Sequence, residues 1–395
     1  MRQFLFLEKF TAMKERKTLK GFLTGVLVCV VAFSIFTNIP LKGDVTEPDS
    51  ILAFKKIKQV KSLIDEHYMG DVDEQSLSDY LFVGMIAGLN DPYSAYYTKK
   101  EYEKLSEYQK GYYTGVGITI ANRAEDMALM IMDVVKDGPA EKAGIMQYDI
   151  IKSIDGNDTE GLTSTEAAAL VQYSDSEDVT LGIYRESTEE ELEFTIKKES
   201  MEREIVSSEI LDGNIGRINI TSFTGVTEEH FKETLDEMKE KNVSGLIIDI
   251  RDNGGGLVSS VTDVLREILP AGVIFSTVDK NGNTSETTCD GKNEIDIPLA
   301  VLVNESTASA SEIFAGAVQD YEKGTIVGTK TYGKGIVQDI YRLNDGSVIR
   351  LTVSHYYTPN GNDIHKKGIA PDVEIEDNAD TAVDEQLEAA IKAVS

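Results

Sequence analysis

The feature that most constrains the fold of this chain is an alternation of short apolar runs with amphipathic segments, which begins at Gly213. "IGRINI", "GLIIDI" and "LAVLVN" are typical of buried strands, and "VTEEHFKETLDEMKEK" places Phe231, Leu235 and Met238 on one helix face. Strands that alternate with helices usually pair in parallel, because each helix returns the chain to the same edge of the sheet. The pattern predicts an α/β core over residues 201–375 with a mostly parallel sheet and crossover helices.

The carboxyl ends of such strands are where chemistry is expected. The glycine loop "NGGG", residues 253–256, and the hydroxyl-rich "STASAS", residues 306–311, each directly follow a predicted strand. Ser309-Ala310-Ser311-Glu312 also fits a capping box, in which a hydroxyl and an acid three residues later begin a helix. Taken alone, a plain helix cap and a plain strand-to-helix turn explain these two stretches.

A serine nucleophile needs a base, and this sequence favours lysine. G-x-S-x-G is absent and the four histidines stand in no recognisable relation to a serine, although His355 stays open as an alternative base. Lys334 lies between two glycines in "TYGKGIVQ", where burial would lower its pKa and let it act as a base. If this segment is extended, Gln338 shares a face with Lys334 and can hold the amine without adding charge. A surface lysine in a glycine-rich turn is the competing explanation.

Three motifs together, "STASASEIFAGAVQDY", "VGTKTYGKGIVQ" and "IIDIRDNGGGL", resemble the carboxyl-terminal processing peptidases, or tail-specific proteases. These are Ser/Lys serine endopeptidases that carry a PDZ domain, and the resemblance runs from about residue 91 to residue 375. It departs from the family at Gly254, where relatives have the proline of N-P-G-G. The resemblance implies that Ser309 is the nucleophile, Lys334 the base and Gln338 the amide that supports the base. It also implies that the N–H groups of Gly255 and Ala310 bind the oxyanion.

Residues 98–200 resemble the PDZ domain of that family, with "YTGVGITI" at the place of the carboxylate-binding loop. The resemblance implies that protein or peptide substrates are held there by their C-terminal tails, while the peptide adds a strand to the sheet. The loop residues are Gly115, Val116, Gly117 and Ile118. A PDZ fold that no longer binds tails, and a catalytically silent PDZ scaffold, are the alternatives.

Residues 21–41 form a run of uncharged, mostly apolar residues, about 31 Å long as a helix at 1.5 Å per residue. Basic residues dominate residues 1–20, so that segment is expected in the cytoplasm and the rest of the chain outside it. The run is longer than the apolar part of most signal peptides, which favours one uncleaved transmembrane anchor over a cleaved signal. The predicted location is the cell membrane, with the catalytic part extracytoplasmic.

The charge and cysteine content exclude several other classes. A formal net charge of −29 repels phosphate backbones, so nucleic-acid binding is not expected. Only two cysteines occur and the histidines are scattered, so neither a metal site nor a cofactor is predicted. Residues 45–97 and 376–395 are predicted to be helical arms, and the resemblance to the family implies a homodimer that forms through these arms.

Overall fold

The structure is a computed structural model that describes residues 48–174, 176–376 and 383–395. The predicted cytoplasmic segment and transmembrane anchor, residues 1–41, lie outside these ranges. No helix within them is both long and apolar enough to cross a lipid bilayer. The chain divides into two compact units, one ending at Ser78 and the other beginning at Asp79.

Nine helices occur in these ranges, and two of them belong to the segment 45–97 that was predicted to be helical. In chain order they are α1 Pro48–His67, α2 Glu74–Ala87, α3 Lys99–Lys110, α4 Pro139–Ala143, α5 Ser164–Tyr173, α6 Thr227–Glu240, α7 Val258–Arg266, α8 Ala310–Asp320 and α9 Glu385–Val394.

Local sequence sets the ends of helix α3. The backbone N–H of Glu101 donates to Oγ1 of Thr98 (3.3 Å), and the N–H of Thr98 donates to the Glu101 carboxylate (2.8 Å), which is a complete capping box. Gly111 ends the helix with a φ of 96°, a conformation that costs a glycine little. The chain then enters β2 Tyr112–Gly115, which pairs antiparallel with β9 Glu199–Glu202.

An antiparallel sheet lies between β2 and β9 in the sequence. Its strands are β3 Ile118–Asn122, β4 Leu129–Val134, β5 Ile150–Ile154, β6 Asn157–Asp158, β7 Asp178–Arg185 and β8 Glu190–Lys197. The order is β3-β4-β5-β7-β8, so β3 is an edge strand, and β6 pairs with β5. Helices α4 and α5 pack against this sheet over their own hydrophobic core, centred on Ile131, Ala140 and Leu181.

The strand and helix alternation after Gly213 produces one six-stranded sheet. Its strands are, in spatial order, β10 Val206–Leu211, β11 Ile215–Ile220, β12 Gly245–Asp249, β15 Leu299–Val303, β16 Thr325–Gly328 and β19 Val373–Glu374. All pairs from β11 to β19 are parallel, and β10 is antiparallel to β11. Helices α6, α7 and α8 contribute to the main core, and α9 covers residues such as Ile247 and Leu302 in a second cluster.

The core also contains a five-stranded antiparallel sheet, so the prediction that the core as a whole is mostly parallel was wrong. Its strands are β1 Ala95–Tyr97, β13 Gly272–Asp279, β14 Thr284–Cys289, β17 Ile336–Arg342 and β18 Val348–Tyr357. Two short loops, containing Asn281-Gly282 and Asp345-Gly346, make the β13–β14 and β17–β18 hairpins, because a chain that turns back within a few residues can only pair antiparallel. These turn signals are local, and the alternation of apolar runs with helical segments does not include them.

Candidate active site

Ser309 has the backbone of a constrained residue and not of an ordinary helix cap. It directly precedes α8, with φ 59° and ψ −119°, whereas a usual N-cap is extended. A non-glycine residue in such a region costs about 1–3 kcal/mol and persists only when its surroundings impose it. Here α8 is buried along most of its length, with Phe314 stacked on Phe223. A half-buried hydroxyl held in a strained turn at a helix start suits a nucleophile.

Tyr356 fixes the carbonyl of this serine from the antiparallel sheet. Its phenol, which is almost completely buried, donates to the Ser309 carbonyl oxygen at 3.0 Å. Burial, with a smaller effect of the Glu312 charge, raises the pKa of Tyr356 well above its usual value. The phenol therefore remains a neutral donor and holds the turn in place.

Glu312 connects the serine turn to the lysine loop. Its fully buried carboxylate accepts the backbone N–H of Ser309 (2.9 Å) and the backbone N–H of Lys334 (2.7 Å) on the same oxygen, Oε2. The other oxygen, Oε1, accepts the Thr331 hydroxyl (2.6 Å) and the Gly333 N–H (2.7 Å). One side chain thus brings together two residues that are far apart in the sequence and that were predicted to act together.

The glycine loop lies against the same turn. A Cβ on Gly255 would come within 2.7 Å of the Ala308 carbonyl and 2.9 Å of the Ala310 nitrogen, and the φ of Gly255 is 100°, so only glycine fits. The N–H of Gly255 donates to the side chain of Asn253 at 2.9 Å, while the N–H of Ala310 donates to no group in the described parts of the chain. Both predicted oxyanion donors are therefore beside Ser309, but only the one from Ala310 is free.

Lys334 is half-buried in the loop before β17. Burial lowers its pKa, and the positive charge of Arg350 lowers it further, whereas Glu312 and Asp91 oppose the shift. Its Nζ lies 4.8 Å from the centre of the Tyr93 ring and donates a hydrogen bond to no described group, the Ser309 hydroxyl included. The pKa of the amine is therefore shifted in the direction that a general base requires, but the amine forms no hydrogen bond with the Ser309 hydroxyl.

Gln338 does not support the amine in this structure. Strand β17 begins at Ile336, so Lys334 lies before the strand and not in it. The alternation of side chains along a strand therefore does not place Lys334 and Gln338 on one face. The Gln338 amide instead donates to the Ile336 carbonyl at 3.4 Å.

His355 lies on the wrong side of its strand to act as the base. It is next to Tyr356 in β18, and successive side chains of a strand point to opposite faces. Because the Tyr356 phenol reaches Ser309, the His355 ring points away from it, and it contacts the ring of His365 with centroids 5.3 Å apart.

The predicted tail-binding loop precedes the edge strand β3. Val116 is buried and its carbonyl accepts the Ala140 N–H, while the carbonyl of Gly117 accepts the Val135 N–H, both at 2.9 Å. Gly115 ends β2 and Ile118 begins β3. The N–H groups of Val116 and Gly117 donate to no described residue, so this loop presents free donors at an open sheet edge.

Three residues that shape the site, Tyr93, Asn253 and Tyr356, were not predicted from the sequence to contact it, and neither was the bridging role of Glu312. Glu312 was visible only as the acid of a capping box. Tyr93 belongs to "NDPYS", a stretch that is typical of a helix end and gives no local sign of a contact with Lys334. No group of three or more potential metal ligands occurs in the described ranges.

Residues 214–375 match the model of peptidase family S41, residues 114–196 match that of a PDZ domain, and residues 38–101 match that of the activating protease CtpB N-terminal domain.

The carboxyl-terminal-processing protease of Synechocystis sp. is 38% identical over 296 residues, which is 74% of this chain and 69% of that protein. The carboxy-terminal processing protease CtpA of Bacillus subtilis is 32% identical over 355 residues, which is 90% of this chain and 76% of that protein. A solved structure from Bacteroides fragilis, of a protein assigned to the S41 proteases, has a TM-score of 0.53 at 17% identity, and the match covers 82% of this chain and 92% of that one. That last similarity concerns the fold alone.

Proposed function

The chain belongs to peptidase family S41 and is a carboxyl-terminal processing serine protease with a PDZ domain, and from that premise we propose that Ser309 and Lys334 are its nucleophile and general base. Family membership also favours an enzyme over the silent scaffold that the sequence left open. The observation that carries this assignment is the Oε2 atom of Glu312, which accepts the backbone N–H of both residues.

In the proposed reaction, the neutral amine of Lys334 takes the proton of the Ser309 hydroxyl while Oγ attacks the carbonyl carbon of the scissile peptide bond. The resulting oxyanion is stabilised by the N–H of Ala310, at the positive end of the α8 dipole, and by the N–H of Gly255. The protonated lysine then returns its proton to the leaving amine, and an acyl-enzyme remains on Ser309. Water, deprotonated by the same amine, releases the new C-terminus.

Two contacts must change before this reaction can start. The Lys334 amine must leave the Tyr93 ring for the Ser309 hydroxyl, and the Gly255 N–H must leave the Asn253 side chain. Catalytic hydrogen bonds often tighten only when substrate is bound. We infer that a bound peptide brings about both changes, and that Gln338 can hold the amine only in that state.

The PDZ domain is proposed to bind the C-terminal tail of a protein substrate. A tail that adds to β3 as a strand would place its carboxylate at the free N–H groups of Val116 and Gly117. Helix α5 packs beside β3 and provides the other wall of this groove.

We further propose that the protease acts outside the cytoplasm, anchored by residues 21–41, and that its helical arms pair in a homodimer. The anchor rests on the uncharged run and the basic residues before it. The dimer is suggested by exposed apolar side chains on α1 and α2, such as Phe54 and Met85. Membrane fractionation of the full chain tests the first, and the mass of the exported part at micromolar concentration tests the second.

The dyad is tested with a fluorogenic peptide and three variants. Ser309→Ala and Lys334→Ala should lose turnover to the same residual rate, since residues that act as one unit do not add. His355→Ala is the control, because that ring points away from Ser309, and it should remain active. Active Lys334→Ala together with inactive His355→Ala would overturn the assignment of the base.

A further inference from the structure

The amine of Lys334 contacts an aromatic ring that the proposed dyad does not use. Its Nζ lies 4.8 Å from the centre of the Tyr93 ring, within the distance at which a cation is attracted to the negative face of an aromatic system. Since no described group accepts a hydrogen bond from this amine, the ring face is its principal local partner. A protonated amine is attracted to such a ring far more strongly than a neutral one.

The ring is held in place from several directions. The N–H of Tyr93 donates to Asp91 at 3.0 Å, and the Tyr93 carbonyl accepts Nε of Arg350 at 3.1 Å. The neighbouring phenol of Tyr332, together with burial, raises the pKa of Tyr93 to about 12. The backbone N–H of Tyr332 donates in turn to the carbonyl of Thr307, two residues before the nucleophile. Tyr93 is therefore a fixed, neutral ring connected to the serine loop.

The charges around the amine come from three elements. Arg350 on β18 disfavours the protonated amine, whereas Glu312 on α8 and Asp91 before β1 favour it. Burial also disfavours the protonated form and is the largest of these influences. The ring of Tyr93 acts against burial, because it offers the ammonium group an attractive surface without adding charge.

We propose that Tyr93 is a positioning residue for Lys334. The Tyr93 ring holds the protonated amine between proton transfers and thereby sets how readily the base gives up its proton. This rests on the proposed role of Lys334. After Lys334 has taken the serine proton, the ammonium is drawn to the ring. Once it has passed that proton to the leaving amine, the neutral side chain is released and can approach Ser309 again.

The test is the pH dependence of kcat/KM in Tyr93→Phe and Tyr93→Leu. Phenylalanine keeps the ring and removes only the hydroxyl, so the acid limb should stay at its wild-type position. Leucine removes the ring, which makes the ammonium less stable and lets the neutral amine persist to lower pH. The acid limb should therefore move down by about 0.4 to 1.5 pH units, the range expected for a cation–π contact.

Tyr102→Leu is the matched control, because its ring lies 4.9 Å from the guanidinium of Arg342 and its loss should leave the acid limb unchanged. Tyr93→Met, which also lacks a ring, replaces the leucine variant if thermal melting shows that the latter does not fold. The proposal is overturned if the acid limb stays in place or moves to higher pH in Tyr93→Leu or Tyr93→Met. It is also overturned if the acid limb of Tyr93→Phe moves by the same amount as that of the variant without a ring. Turnover by Lys334→Ala would instead overturn the proposed base, so the two failures are distinguishable.

Discussion

Replacing Glu312 separates its role as a bridge from its role as a charge. In Glu312→Gln, the amide oxygen can occupy the position of Oε2 and keep both N–H donors of Ser309 and Lys334. The amide NH₂ then takes the position of Oε1. The Thr331 hydroxyl can rotate and accept a hydrogen bond from this NH₂, whereas the N–H of Gly333 loses its acceptor. One orphaned buried donor costs about 1–3 kcal/mol. Glu312→Ala leaves all four donors without an acceptor, and at the low end of that range this already costs about 4 kcal/mol, a large part of a typical stability of about 5–15 kcal/mol.

The assay pairs urea unfolding with the pH profile of kcat/KM on a short peptide. Glu312→Gln should fold and cleave, with an acid limb at lower pH than wild type, because the Glu312 charge raises the pKa of Lys334. Glu312→Ala should be much less stable and should lose at least about 100-fold in kcat, the effect of misplacing reacting groups by about 1 Å. Equal activity of the two variants, or wild-type stability of the alanine variant, would refute the argument that Glu312 holds the two loops together.

Three further variants test the glycine loop, the stability of the PDZ domain and its effect on catalysis. Gly255→Ala should lose at least about 100-fold in kcat, because the added Cβ would come within 2.7 Å of the Ala308 carbonyl and so displace one N–H donor of the oxyanion site. Gly254→Ala, whose added Cβ meets nothing within 4 Å, should retain most activity in the same assay. Asp149→Ala should destabilise the PDZ domain by about 3–5 kcal/mol in urea unfolding, since it leaves the charge of Arg185 unpaired (2.7 Å), and unchanged stability would contradict this. Residues 116–198 can be replaced by a short linker between the paired residues Gly115 and Glu199. If the PDZ domain controls the activity of the catalytic core, this deletion should change the rate of cleavage of a short peptide. An unchanged rate would mean that the domain only holds the substrate.

The sequence by itself determined the elements whose signals are local. Apolar runs that alternate with helical segments predicted β11, β12 and β15, the last two of which precede Gly255 and Ser309, and these three strands do run parallel. Because parallel strands present their carboxyl ends at one edge, the glycine loop and the serine were expected to meet, and they do. Family motifs then indicated Ser309 as the nucleophile and Lys334 as the base.

Only the tertiary structure decided what surrounds Lys334. Alternation along "KGIVQ" pointed to Gln338, but the strand begins after Lys334, and the amine faces Tyr93 instead. Likewise, Glu312 fits a local capping pattern, and nothing in the sequence shows that its Oε2 also accepts the Lys334 N–H. Periodicity reports which residues share a face within one element. The burial and charge that set the pKa of a lysine come from side chains brought together by packing between elements.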